Sequence, residues 1–144
     1  MGKGYSGAKG ASLVEFAVIA PILFLLLFGV IEFAWLFASN LDVRQGAREA
    51  VRVAATNRLA NPTDPKIDIC NGLNLTNRPT TLVSITRATD NIGDAITVTV
   101  DAEAETLTGL LDWAIPAGTR LVSTVNLRQE QAPTWTPITN LACP

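Results

Sequence analysis

The stretch from Phe16 to Ala38 constrains this chain most. Its 23 residues are apolar or small except for one carboxylate, Glu32, and a second carboxylate, Glu15, stands just before it. At 1.5 Å per residue a helix of that length reaches about 34 Å, against roughly 30 Å for the hydrocarbon layer of a bilayer. A secretory signal core is shorter, and Leu36-Phe37-Ala38 lacks the small residue that an A-x-A cleavage site needs. The run therefore reads as a retained membrane helix.

Its punctuation goes beyond what a plain tether needs. Sixteen uncharged residues separate Glu15 from Glu32, about 24 Å of helix and less than the hydrocarbon thickness. Both carboxylates cannot reach water at once unless the bilayer thins, and an acid at membrane depth usually faces a protein partner. Pro21 removes an N–H and frees the carbonyl of Ala17, so it should bend the helix. With Gly29, these residues mark a helix surface for helix-to-helix packing.

The chain divides into three parts. Residues 1–10 hold four glycines and two lysines with no acid, and read as a flexible cytoplasmic leader. Residues 11–58 continue as one long helix. Beyond the apolar run, Arg44, Arg48 and Arg52 recur every fourth residue as a polar stripe. Val43, Ala47, Ala50, Val51 and Ala54 form an apolar face of little bulk beside it. Ser39-Asn40 offers an alternative break between two helices. Lys3 and Lys9 favour a cytoplasmic N-terminus. The four arginines between residues 44 and 58 argue the opposite by simple counting, but they lie within the continuing helix.

Residues 59–144 leave room for one modest core. Asn61-Pro62-Thr63-Asp64-Pro65 ends helix formation, and residues 61–80 read as a loop. Leu82–Arg87 and Ala95–Glu103 flank the turn Asp90–Asp94 as a hairpin; Ile96, Val98 and Val100 alternate with Thr97, Thr99 and Asp101. Thr106–Ala114 reads as a short helix ended by Pro116 and Gly118, and Arg120–Arg128 as a third strand. The expected fold class is α+β: a long N-terminal transmembrane helix, then a small antiparallel sheet packed on the C-terminal half of that helix. The sheet's apolar face needs a cover, and the face at residues 43–54 can supply it.

Chemistry is sparse. There is no histidine, and the two cysteines are Cys70 and Cys143, so ordinary zinc sites and the commonest general base drop out. The cysteines read either as one disulfide outside the cytoplasm or as two free thiols. A bridge is favoured because Cys143 ends a tail that would otherwise fray. Asp101, Glu103 and Glu105 alternate and could share a strand face as an acid–base set, but a solvated outer face explains them more simply. Residues 59–144 carry five basic and nine acidic side chains, which removes a nucleic-acid footprint. No catalytic residue, cofactor or metal is expected.

Gly10, then four residues, then Glu15-Phe16, resembles a prepilin processing site of the Flp/Tad type. With Val14-Glu15-Phe16-Ala17, Pro21, the leucine-rich run, Gly29, Glu32-Phe33 and Ala47-Arg48-Glu49-Ala50-Val51-Arg52, residues 10–54 resemble the TadE-like family, pseudopilins or minor pilins of the tad pilus. Ala50-Val51 stands where that family usually carries a further glycine. The resemblance implies cleavage between Gly10 and Ala11, with Glu15 then the fifth mature residue and able to attract the new α-ammonium of a neighbouring subunit. It also implies a single-pass protein of the bacterial inner membrane with a periplasmic or extracellular C-terminal domain. Its partners would be a prepilin peptidase, other pilin or pseudopilin subunits and pilus assembly proteins. A membrane-tethered adhesion or binding module is the alternative, with an envelope hydrolase third.

Overall fold

The computed structural model describes residues 6–74, 80–109 and 112–144, with side chains of the first helix from residue 10 onward. The element order is α1 (Ser6–Ala55), α2 (Pro65–Asn71), β1 (Leu82–Arg87), β2 (Ala95–Glu103), β3 (Arg120–Arg128) and β4 (Ile138–Ala142). The strands form one sheet in the order β3-β2-β1-β4, every neighbouring pair antiparallel. This is the α+β architecture expected from the periodicity.

α1 is a single helix of 50 residues that runs through Pro21 and Ser39-Asn40 without a break. It begins at Ser6, inside the segment expected to be a flexible leader; residues 1–5 lie outside the described part. Extending an existing helix needs no new nucleus, so Ser6 to Gly10 can continue the apolar helix at little cost. The C-terminal end comes at Ala55 rather than Arg58. Asn57 adopts a left-handed φ of 51°, and the Arg58 and Asn57 amides donate to the carbonyls of Val53 and Ala54 at 3.0 and 3.2 Å. That paired closure is a Schellman motif, with asparagine in the place usually held by glycine.

The core lies between the last turns of α1 and one face of the sheet. Val43, Ala47, Ala50, Val51 and Ala54 are buried against Val83 and Ile85 of β1 and Ile96, Val98, Val100 and Ala102 of β2, with Leu121 and Val125 of β3 packed at the side. The expected cover is thus the observed one. Small residues on α1 let the helix lie close to a sheet whose own face is branched and bulky. Each buried branched side chain contributes about 1.5–3 kcal/mol through removal of apolar surface from water. The opposite sheet face is polar and wet: the Thr99 and Thr124 hydroxyls pair at 3.1 Å across β2 and β3.

Three local expectations change. Residues 61–80 hold the short helix α2, because Pro65 occupies its first turn, where the missing N–H has no intrahelical partner to lose and φ is already helical. A fourth strand, β4, joins the outer edge of β1 with a register shift between Val83 and Ile85 and a positive φ at Asn140, the marks of a bulge. The expected helix at 106–114 is absent from the described residues, which form bends and a turn there; Leu110 and Leu111 lie outside the described part. Gly109 takes a φ of 74°, which no right-handed helix accommodates.

Candidate functional site

The candidate site is α1 itself, together with the segments that clip the rest of the chain to it. Gly10, Ala11, Glu15, Phe16 and Pro21 all lie on α1 and are exposed. From Leu13 to Phe37 most large side chains are uncovered: Phe16 is 60% exposed, Leu25 72% and Phe33 70%. Only 6% of the most apolar window of this helix is buried within the chain. A soluble protein's core helix would be mostly covered, so α1 is a helix long and apolar enough to cross a membrane, and it meets the membrane run read from the sequence. A Cβ on Gly29 would touch nothing within 4 Å. Gly29 borders a shallow apolar groove with Leu25, Leu26, Val30 and Phe33.

Glu32 departs from this pattern: it is fully buried. Leu107 and Thr108, in the segment between β2 and β3, lie against its carboxylate. The Leu107 amide donates to Oε1 at 2.5 Å, the Thr108 amide to Oε2 at 3.1 Å, and the Thr108 hydroxyl to Oε2 at 2.7 Å. A buried carboxylate with three donors escapes the desolvation penalty that a lone one would carry. The need for a partner was legible in the sequence. That the chain supplies it from its own β2–β3 segment was not.

Asp42 plays a similar part ten residues on. It is buried, and its carboxylate accepts the Asn74 amide at 3.0 and 3.2 Å. This draws the end of α2 onto α1. Gly46 faces the same segment; a Cβ there would lie 2.5 Å from Cδ2 of Leu73. Neither residue stands out by sequence spacing, because each acts through a segment almost thirty residues away or more.

The end of α1 carries a third clip. The Ala55 carbonyl accepts the Glu130 and Gln131 amides at 3.0 and 3.3 Å. The indole of Trp135, 1% exposed, donates to the Ala54 carbonyl at 3.2 Å. The Asn57 side chain accepts from the amide and hydroxyl of Thr134 at 3.0 and 3.1 Å. Helix carbonyls that would otherwise need water are thereby satisfied by the tail after β3. The Arg87 guanidinium lies 4.7 Å from the centre of the Trp135 ring, a cation–π contact, and also donates to the Trp135 carbonyl.

Arg44, Arg48 and Arg52 are all exposed on α1; Arg52 pairs with Glu49 at 3.1 Å. Cys70 and Cys143 form a disulfide, Cα to Cα 5.7 Å, which ties α2 to the residue after β4. Both sulfurs sit in the core. Asp101 is engaged structurally: its carboxylate accepts from Arg120 Nε at 2.5 Å, and Arg120 also donates to the Asp101 carbonyl at 2.8 Å. This pairing across β2 and β3 holds the strand face on which Asp101 and Glu103 alternate. Among the described residues, no group of three or more histidine, cysteine or acidic side chains could hold a metal ion.

No curated protein and no solved structure matches the chain. A protein-family model does: residues 10–52 match that of the TadE-like proteins. The matched segment begins at Gly10 and ends within the last turn of α1, so it covers the apolar helix, the exposed arginines and most of the small-residue face, but none of the sheet. On this match, the helical part of the chain is similar to the TadE-like proteins over residues 10–52.

Proposed function

We propose that the chain is a minor pilin or pseudopilin-type structural subunit of a tad pilus assembly system, working in pilus biogenesis and surface attachment. The observation that carries this reading is the TadE-like match over residues 10–52, whose first residue is Gly10. In this account a prepilin peptidase cuts between Gly10 and Ala11. α1 crosses the inner membrane, and the sheet domain stands on the periplasmic side, where a Cys70–Cys143 bridge can persist. The new α-ammonium of Ala11 pairs with Glu15 of a neighbouring subunit, since paired charges in lipid are far cheaper than lone ones. The open surface at Gly29, between Leu25 and Phe33, receives a helix of another pilin or pseudopilin subunit; small residues let helices approach closely in lipid. Glu32 is already supplied with donors by its own chain, so Glu15, Pro21 and Gly29 are the residues left for contact between subunits.

The test is Glu15→Ala in cells that assemble the pilus. Cleavage is expected to continue while assembly fails. Normal piliation in that variant overturns the pairing of Glu15 with a neighbouring N-terminus. Replacing α1 through residue 38 by an unrelated apolar helix should likewise abolish assembly. Full function after that exchange would favour a tethered binding module, in which the helix only anchors.

A further inference from the structure

The clip on Glu32 places a loop where a membrane boundary must be. Leu107 and Thr108 are hydrogen-bonded to Glu32, so this segment sits beside the α1 turn that contains Ile31 and Phe33. Those two side chains are 40% and 70% exposed, and Phe37, one turn further, is 59% exposed. If the hydrocarbon layer extended to Ala38, an irregular loop would lie within it, where backbone polar groups find no water. If the layer ends at Glu32, the 20 residues from Ser12 to Ile31 remain to cross it, about 30 Å of helix and equal to the hydrocarbon thickness.

The loop's own composition suits that boundary. Thr106 to Gly118 holds a single charged side chain, Asp112, whose carboxylate accepts from the Thr106 hydroxyl. This bond joins the chain neighbours of Leu107 and Trp113. Trp113 is 85% exposed and Leu107 51% exposed. No other tryptophan in the chain is uncovered to this degree: Trp135 is buried and Trp35 is half-buried. An indole, with an apolar body and one N–H donor, is the side chain most at home in the headgroup layer.

We propose that the β2–β3 loop is a membrane-interface anchor. Leu107 and Trp113 insert at the headgroup level of the bilayer that α1 crosses, and with Phe33 and Phe37 they form an aromatic belt around the outer end of the span. Glu32 is the bracket of this belt: its carboxylate satisfies the loop amides that would otherwise face a layer poor in water. The domain then meets the bilayer at two points, the helix and the loop, which fixes its height and limits its swing about α1. The inference rests on the reading of α1 as a membrane span.

The experiment is tryptophan quenching in the full chain reconstituted into phosphatidylcholine vesicles, some made with lipid brominated near the headgroup end of its acyl chain. Subtracting the spectrum of Trp113→Phe from that of the parent isolates Trp113; Trp35→Phe isolates Trp35 in the same way. Trp113 is expected to emit blue-shifted light, to lose most of its intensity to the brominated lipid, and to resist iodide in the water. Quenching of Trp113 by iodide but not by lipid overturns the proposal, because the loop then stands in solvent. Protection from both quenchers also overturns it, since a second copy or another protein would be covering the loop. Trp35 separates the two levels of inference. If brominated lipid quenches Trp35 and not Trp113, the loop anchor fails and the span stands; if it quenches neither, the membrane reading of α1 fails with it.

Discussion

Glu32 and Thr108 are separated by 76 residues of chain, yet the Thr108 amide lies 3.1 Å from the Glu32 carboxylate and its hydroxyl 2.7 Å. One acidic side chain in the otherwise apolar run from Phe16 to Ala38 thus holds the far end of a two-stranded excursion. Glu32→Ala leaves the Leu107 and Thr108 amides without an acceptor, at a cost of about 1–3 kcal/mol. Amide hydrogen exchange in detergent should speed up across residues 104–118 while β1 and the start of β2 stay protected. Unchanged exchange at Leu107 and Thr108 would show that the clip contributes nothing.

Cys70 and Cys143 close most of the sheet domain into one loop, 73 residues apart in sequence. Reduction, or the paired Cys70→Ser and Cys143→Ser change, should lower the domain's stability by about 4 kcal/mol on the chain-entropy account. The denaturant midpoint of the full chain is the measurement, and equal midpoints in oxidised and reduced protein would contradict it.

Ala47 is fully buried beneath the sheet, whereas Arg48, its neighbour, faces solvent. Ala47→Leu overfills a close helix–sheet contact and should destabilise the domain by about 1–3 kcal/mol. Arg48→Leu should change stability by less than about 0.5 kcal/mol. The contrast, read from paired unfolding curves, tests the placement of α1 on the sheet.

Trp135 joins α1, β1 and the tail through its indole N–H, its ring and its carbonyl. Trp135→Phe keeps most of the apolar volume but removes the donor to Ala54, and should cost about 0.5–1.5 kcal/mol. Accelerated proteolysis between residues 129 and 137 would accompany it.

Much of this architecture was legible where periodicity is strong. The alternation in β2 names its buried set, Ile96, Val98 and Val100, and the small residues from Val43 to Ala54 name the surface that covers them. β4 was not legible: five residues carrying a bulge at Asn140 show no clean alternation. α2 was hidden because Pro65 reads as a stop, while at a first helical turn it is a start. Thr106–Ala114 misleads in the other direction. Its leucines and tryptophan have helical spacing, but Gly109 turns the chain and Glu32 takes the amides of Leu107 and Thr108. In the candidate site, Gly29 and Glu32 announce themselves as exceptions within an apolar run. Asp42 and Gly46 do not, because what makes them matter is the approach of Leu73 and Asn74 from another part of the chain.

The proposed role as a processed pilus subunit turns on the peptide bond between Gly10 and Ala11. Sequencing the N-terminus of the protein recovered from membranes of cells that contain the prepilin peptidase tests it most directly. The account expects chains that begin at Ala11, and chains that still begin at Met1 in cells carrying Gly10→Val. Recovery of the unsubstituted protein with Met1 still in place would contradict it.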